Sequence, residues 1–163
     1  MRKRTARRQN NLASTPSGYW TGGHTTHRLR FHLVWVPKYR RRVLEEAVAM
    51  RLAELLRQAC EVKAWGLVEM NVQPDHVHLL LQVTPCDCIA DVVQLLKGGT
   101  ARILRLEFPQ LEEFLWGDSF WADGYFAETV GQQEEARVRD YIRNQRSPET
   151  GQQKAHYKRK RHP

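Results

Sequence analysis

A mixed α+β fold follows from three features of the sequence. Apolar residues alternate with polar ones over 26–36 and 67–73, and two histidines alternate with apolar residues at the start of 76–83. Two longer stretches, 44–63 and 88–107, carry apolar residues at helical spacing instead. Glycine or proline stands at most of the junctions between them. At 163 residues the chain fits one domain and can bury a substantial core.

In order, residues 1–23 read as a flexible arm, basic at first and then rich in Asn, Ser, Pro and Gly. Tyr19 and Trp20 close it, either packed on the surface or stacked on a base. From 26 to 36, Leu29, Phe31, Leu33 and Trp35 share one face of a strand, and Arg28, Arg30 and His32 the other. Pro37 ends that strand. Lys38-Tyr39-Arg40-Arg41-Arg42 then forms a basic loop with an aromatic in it, a combination that grips single strands, although any exposed loop before a helix can be charged. Val48, Leu52, Leu55, Leu56 and Ala59 make the stripe of the first helix, and Gly66 closes the connection. Val68, Met70 and Val72 are expected on one face of a second strand, and the turn Pro74-Asp75 leads back into a third as a hairpin.

The second helix runs through Ile89, Val92, Val93, Leu96, Ile103 and Leu104. Gly98-Gly99 inside it costs roughly 1 kcal/mol per glycine, which points to close approach by another backbone, of protein or of nucleic acid. Lys97 beside them serves either helix packing or a DNA contact. A loop over 109–118, a fourth strand over 120–130 and a last helix over 133–145 complete the chain. The order strand, helix, strand, strand, helix, strand is the ferredoxin-like (RRM-like) arrangement, an antiparallel sheet with two helices on one face and here an appended C-terminal helix.

Charge is concentrated at the ends. The net charge is +8, yet 1–10 and 154–163 each hold five Lys/Arg and no acid, so the rest of the chain is nearly neutral. Such tails usually attract phosphate backbones with strong salt dependence. The start of the chain lacks the apolar stretch of a signal peptide, and no apolar run approaches the ~18 residues of a membrane span. The expectation is a cytoplasmic, nucleoid-associated protein with no membrane partner. The three cysteines, Cys60, Cys86 and Cys88, make no disulfide framework. A zinc site joining Cys86 and Cys88 to His76 and His78 is disfavoured, because no tight turn returns the chain before Thr84-Pro85.

The chemistry concentrates in Gln73-Pro74-Asp75-His76-Val77-His78-Leu79-Leu80-Leu81. On a strand His76 and His78 project from one face, about 7 Å apart, and can share one metal ion. On the last helix Tyr141 and Gln145 are spaced by four and would share a side. Tyr141 offers a hydroxyl nucleophile and Gln145 a neutral oxygen ligand. Two imidazoles and one amide oxygen suit Mg²⁺ or Mn²⁺ better than a thiolate-rich set would, and leave positions for phosphate oxygens and water. Tyr39 and Tyr125 compete for the nucleophile role, but neither has an amide or acidic ligand one helical turn away.

These residues, in this order over about 26–146, resemble the single-tyrosine HUH transposases of the insertion-sequence 200/605 group. Asp75-His76-Val77-His78 is similar to the family's HUH motif, Tyr141-x-x-x-Gln145 to its catalytic helix, and His32-Leu33-Val34-Trp35 with Lys38-Tyr39-Arg40 to its first strand and loop. The resemblance implies a domain over 24–147 flanked by a basic arm (1–23) and tail (148–163), acting on single-stranded DNA hairpins at transposon ends. It implies that His76, His78 and Gln145 hold the divalent cation and that Tyr141 attacks the scissile phosphate, forming a 5′-phosphotyrosine without ATP. It further implies a homodimer in which the tyrosine helix can complete the partner's site. The competing expectations are a non-catalytic, domesticated hairpin-binding protein and a replication or relaxase-type nickase; small size and the lack of a helicase domain argue against the nickase.

Overall fold

The structure is a computed structural model and describes residues 13–145 apart from 15–17, 23, 114 and 116–118. The basic stretches 1–12 and 146–163, which hold most of the expected arm and the whole tail, lie outside the described residues. The elements are β1 (Ala13–Ser14), β2 (Trp20–Thr21), β3 (Thr26–His27), β4 (Leu29–Trp35), α1 (Glu46–Lys63), β5 (Gly66–Gln73), β6 (His76–Val83), α2 (Ile89–Glu107), β7 (Phe126–Thr129) and α3 (Glu135–Arg143). Short 3₁₀ turns cover Lys38–Arg40 and Pro109–Glu113.

The main sheet has the order β5-β6-β4-β7, with every neighbouring pair antiparallel. Chain order and sheet order together are those of the ferredoxin-like fold, with α3 appended. One face carries Leu33 and Trp35 of β4 and Val77, Leu79, Leu81 and Val83 of β6. All are buried against Leu52 and Leu56 of α1 and Val93, Leu96 and Leu104 of α2. The other face holds a smaller cluster, Leu80, Val130 and Ile142, with Val68 and Val138 packed on it.

Four local expectations are corrected. First, the 26–36 strand is broken at Arg28, and its first part pairs with Trp20–Thr21, which pairs in turn with Ala13–Ser14. Order therefore extends into the stretch expected to be a free arm. Trp20 explains Gly66 as well: a Cβ there would lie 2.6 Å from the indole. Second, Val68 does not share a face with Met70 and Val72. A bulge between Leu67 and Glu69 turns Val68 toward the Ile142 cluster and gives Leu67 its place in the main core.

Third, the fourth strand is only Phe126–Thr129, because Gly124 at φ +80° turns the chain just before it. The preceding loop is tied down by other means. Pro37 bridges Trp121, the Trp121 indole donates to the Lys97 carbonyl at 3.0 Å, and the Lys97 ammonium donates to the carbonyls of Ala122 and Gly124. Fourth, nothing among the described residues lies within 4 Å of where a Cβ on Gly98 or Gly99 would stand, so it is not a described segment of this chain that packs there.

Candidate active site

β6 is buried along its whole length, and alternation sends its residues to two different environments. Val77, Leu79 and Leu81 enter the core, leaving His76, His78 and Leu80 on the opposite face. The neighbouring β4 places His32 beside them, and all three imidazoles are less than one-tenth exposed. The His76 and His78 ring centroids are 4.9 Å apart, close enough to converge on one centre.

Both rings of the motif are held at Nδ1. Asp75 Oδ1 lies 2.5 Å from His76 Nδ1, and a carboxylate there requires the proton on that nitrogen. Arg40 Nε donates to the other oxygen of Asp75 at 2.9 Å. Burial opposes the ionisation of Asp75, but the hydrogen bonds with His76 and Arg40 outweigh it and hold its carboxyl below the usual range. His32 Nε2 stands 2.9 Å from His78 Nδ1, the two rings stacked at 14°. Burial, then the charges of His76 and His32, push His78 down to about 3, and burial lowers His32 too. His78 is therefore neutral at physiological pH, the state a metal ligand needs. This arrangement of a carboxylate or imidazole behind each ring leaves Nε2 of each toward the centre, where it could serve as a ligand.

Tyr141 and Gln145 reach this centre, though not as a simple helical pair. α3 ends at Arg143, so Gln145 lies beyond its C-terminus rather than one turn along it. Its carboxamide nevertheless arrives at the histidines: Oε1 is 3.2 Å from His76 Nε2, and it also hydrogen-bonds His78. The Tyr141 ring stands edge-on to His78 and His32, at 5.9 and 6.2 Å between centroids, and is 44 % exposed. An exposed phenol over buried imidazoles is open to a polymeric substrate. Tyr125 and Tyr39, the competing nucleophiles, show no ring contact with the histidines.

Packing alone does not hold α3 in place. Nine residues are too few for a stable isolated helix, and its one fully buried apolar side chain, Ile142, contributes only about 2–3 kcal/mol. Polar contacts do the rest. At the N-terminal end Glu135 pairs with Arg28, between β3 and β4, and with Arg30 of β4. Toward the C-terminus Glu69 pairs with Arg143 at 2.7 Å, Asn71 Nδ2 donates to the Ile142 carbonyl, and Gln73 Nε2 donates to the Gln145 carbonyl. None of these partners stood out in the sequence. Glu69, Asn71 and Gln73 are legible in the sequence only as three polar residues at alternate positions of β5, and Arg28 and Arg30 only as polar residues on the face of His32.

The basic loop lies next to this centre. Leu44 N bonds the Pro74 carbonyl and Arg40 bonds Asp75, which join the loop to the turn that begins the histidine strand. Tyr39 and Arg40 adopt left-handed φ of 59° and 53°, uncommon for residues with side chains and a mark of a constrained loop. Tyr39 is 64 % exposed with the Lys38 ammonium over its ring, and Arg41 and Arg42 point outward, Arg42 near Glu45. Lys97 is elsewhere: its ammonium, with pKa lowered by burial, is engaged by the two loop carbonyls described above, and a DNA contact through it would compete with them.

Comparison with known proteins agrees with this geometry. The family model described as "Transposase IS200 like" matches residues 25–145. The ISDra2 transposase TnpA of Deinococcus radiodurans is 41% identical over 123 residues, covering 76% of this chain and 88% of that protein. The chain belongs to the IS200-like transposase family. The transposase for insertion sequence element IS200 of Salmonella typhimurium is 32% identical over 75% of this chain and 80% of its own length. A crystal structure from Deinococcus radiodurans R1 superposes with a TM-score of 0.64 at 39% identity, covering 77% of this chain and 96% of that one. A more distant likeness, in fold alone, is to a REP-associated tyrosine transposase bound to a REP hairpin. Its TM-score is 0.53 at 11% identity, over 75% of this chain and 70% of that one.

The donor set of the transposase fits a hard or borderline divalent ion. Two imidazole nitrogens and an amide oxygen converge, with no thiolate among them. Cys86 and Cys88 lie exposed as free thiols, and among the described residues no group of three or more His, Cys, Asp or Glu is arranged to hold a metal. The third donor is an amide, outside that set. No helix among the described residues is long and apolar enough to cross a membrane.

Proposed function

We propose that this DNA transposase cuts and rejoins single-stranded DNA at hairpin-bearing transposon ends through a covalent bond between Tyr141 and the 5′-phosphate. The observation that carries this reading is the convergence of one half-exposed tyrosine on two buried imidazoles and a carboxamide, all within a single chain. In the cutting step the Tyr141 oxygen bonds to phosphorus, the bond from phosphorus to the 3′ oxygen breaks, and the phenol's proton is replaced on balance by one on the departing 3′-hydroxyl. In the joining step a 3′-hydroxyl attacks the phosphotyrosine, which restores the diester and frees the phenol. The number of phosphoester bonds is unchanged throughout, so no ATP is needed.

His76, His78 and Gln145 would hold a Mg²⁺ or Mn²⁺ ion. Bound there, the ion supplies Lewis-acid stabilisation of charge on the phosphate oxygens. The chain's own contribution is positional: Asp75 and His32 orient the two rings, and the edge-on histidines fix the tyrosine. Lys38, Tyr39, Arg40, Arg41 and Arg42 lie beside the centre and would grip the strand entering it, by phosphate contacts and base stacking. A relative in fold is bound to a REP hairpin, which supports a hairpin substrate here. A homodimer is part of this proposal; β7 lies at the sheet edge with all four residues exposed, Phe126 among them.

The test incubates the full chain with Mn²⁺ and single-stranded oligonucleotides carrying end-derived hairpins, then separates the products on a denaturing gel. Wild type forms a covalent adduct, and Tyr141→Phe forms none while still binding the hairpin. Adduct of unchanged yield in that variant would remove Tyr141 from the role. Binding without any adduct from wild type would favour the non-catalytic hairpin binder instead.

A further inference from the structure

Gln145 stands outside the helix that carries Tyr141, so something other than helix geometry must bring its side chain to the histidines. On β5, Gln73 Nε2 donates to the Gln145 main-chain carbonyl at 2.6 Å and to Asn71 Oδ1 at 2.7 Å. Asn71 Nδ2 donates in turn to the Ile142 carbonyl at 2.6 Å. The strand pairing places Gln73 directly opposite His76 and Asn71 directly opposite His78. The two carboxamides therefore lie on the same sheet face as the two imidazoles, one partner for each.

We infer that Asn71 and Gln73 are positioning residues: they bind the chain where it leaves α3 and thereby set the Gln145 side chain against His76 and His78. The inference rests on the metal-site reading above. The hydrogen-bond directions support it. A helix C-terminus leaves its last carbonyls without intrahelical partners, and each carboxamide supplies a donor to one carbonyl in this segment. The link from Gln73 to Asn71 fixes both amide orientations, since Asn71 Oδ1 accepts from Gln73 while its nitrogen faces Ile142. A substitution that keeps the shape but replaces the donor by an acceptor, such as Gln73→Glu, would set a carboxylate against two oxygens. The bulge at Val68 belongs to the same device. It brings Glu69 into register opposite Leu80, on the face with Asn71 and Gln73, where Glu69 holds Arg143.

The experiment compares wild type, Gln73→Ala, Gln145→Ala and the double variant as full chains. Two quantities are read: Mn²⁺ affinity by titration, and hydrogen exchange at the amides of Asn144 and Gln145. The expected result is that Gln73→Ala weakens Mn²⁺ binding about 10-fold or more, as loss of a ligand's supporting contact does. The double variant should bind no more weakly than Gln145→Ala alone, because the two residues act as one unit. Gln73→Ala should also raise exchange at those two amides while leaving that of the β4 and β6 amides unchanged. Asn71→Ala should act in the same direction. Mn²⁺ affinity within twofold of wild type in Gln73→Ala would overturn the inference, as would fully additive losses. If wild type takes up no Mn²⁺, the metal-site reading fails and the inference with it. Faster exchange at 144–145 in Gln73→Ala would then show that the carbonyl contact exists without serving a metal.

Discussion

At the scale of single residues, burial sets the protonation of the site. His78 is lowered to about 3 against an ordinary 6.5, and it faces His76, His32, Asp75, Gln145 and Tyr141. A folded pKa below the unfolded one means that the unfolded chain binds the extra proton. The stability linked to neutral His78 is thus fully present above pH 6.5 and is lost as pH falls toward 3. His32 acts in the same sense, and depressed Asp75 adds a loss below its ordinary 3.8. The expected outcome is a urea midpoint that falls between pH 7.5 and pH 5, with a shallower fall in His78→Asn. Parallel pH profiles for the two proteins, measured by tryptophan fluorescence, would contradict this account. On the proposed metal-site reading, stability and ligand readiness share one cause: the pocket that keeps the imidazole uncharged also leaves its nitrogen available.

At the scale of elements, α3 is the helix with the fewest buried residues, and ion pairs tie both its ends to the rest of the fold. Glu135 is the pivot, since Arg28 and Arg30 both converge on it with side chains 5 % and 10 % exposed. Burial and the neighbouring Arg28 press on the Arg30 charge, and Glu135 compensates. Replacing Glu135 by Gln leaves two nearly buried guanidiniums without a counter-charge. The expected cost is about 3 kcal/mol, the lower end for breaking a buried ion pair, because Glu135 keeps some solvent access. Melting should shift down by roughly 10 °C for a chain of this size, with α3 amides exchanging first. A midpoint within a degree or two of wild type in calorimetry would show that the helix docks by packing instead. Bulge and loop act at this scale too. Strict alternation puts Val68 in the main core, whereas one inserted residue reverses its side, and no local property of Gly66-Leu67-Val68-Glu69 announces it.

For the whole molecule, the distribution of charge matters more than its sum. Ten of the basic side chains lie in 1–10 and 154–163, outside the described residues, while the folded body is close to neutral. Truncating both ends should leave the adduct chemistry intact and flatten the dependence of log affinity on log salt. Each lost phosphate contact removes about 0.7 from that slope on single strands. Equal slopes for full-length and truncated chains, measured by fluorescence anisotropy across a salt series, would exclude the tails from DNA contact. The site itself is built at this scale, from β4, β5, β6 and the segment after α3, elements distant in the chain.

Much of this was legible before any coordinates. Alternation and helical spacing determined the order of the main-sheet strands and the three helices, because burial of one face imposes those periods directly. The Asp-His-Val-His turn and the Tyr–Gln spacing were enough to imply the family and to single out candidate site residues that the fold brings together. What the tertiary structure alone decided is how they meet. It decided that Gln145 reaches the histidines from beyond a helix end, that Gln73 and Asn71 hold it there, that His32 backs His78, that Trp20 is the reason for Gly66, and that Lys97 holds a loop. The physical reason is the same in each case. These are side-chain hydrogen bonds and contacts between elements remote in sequence, and they follow from strand register and helix docking, which no residue and its immediate neighbours specify.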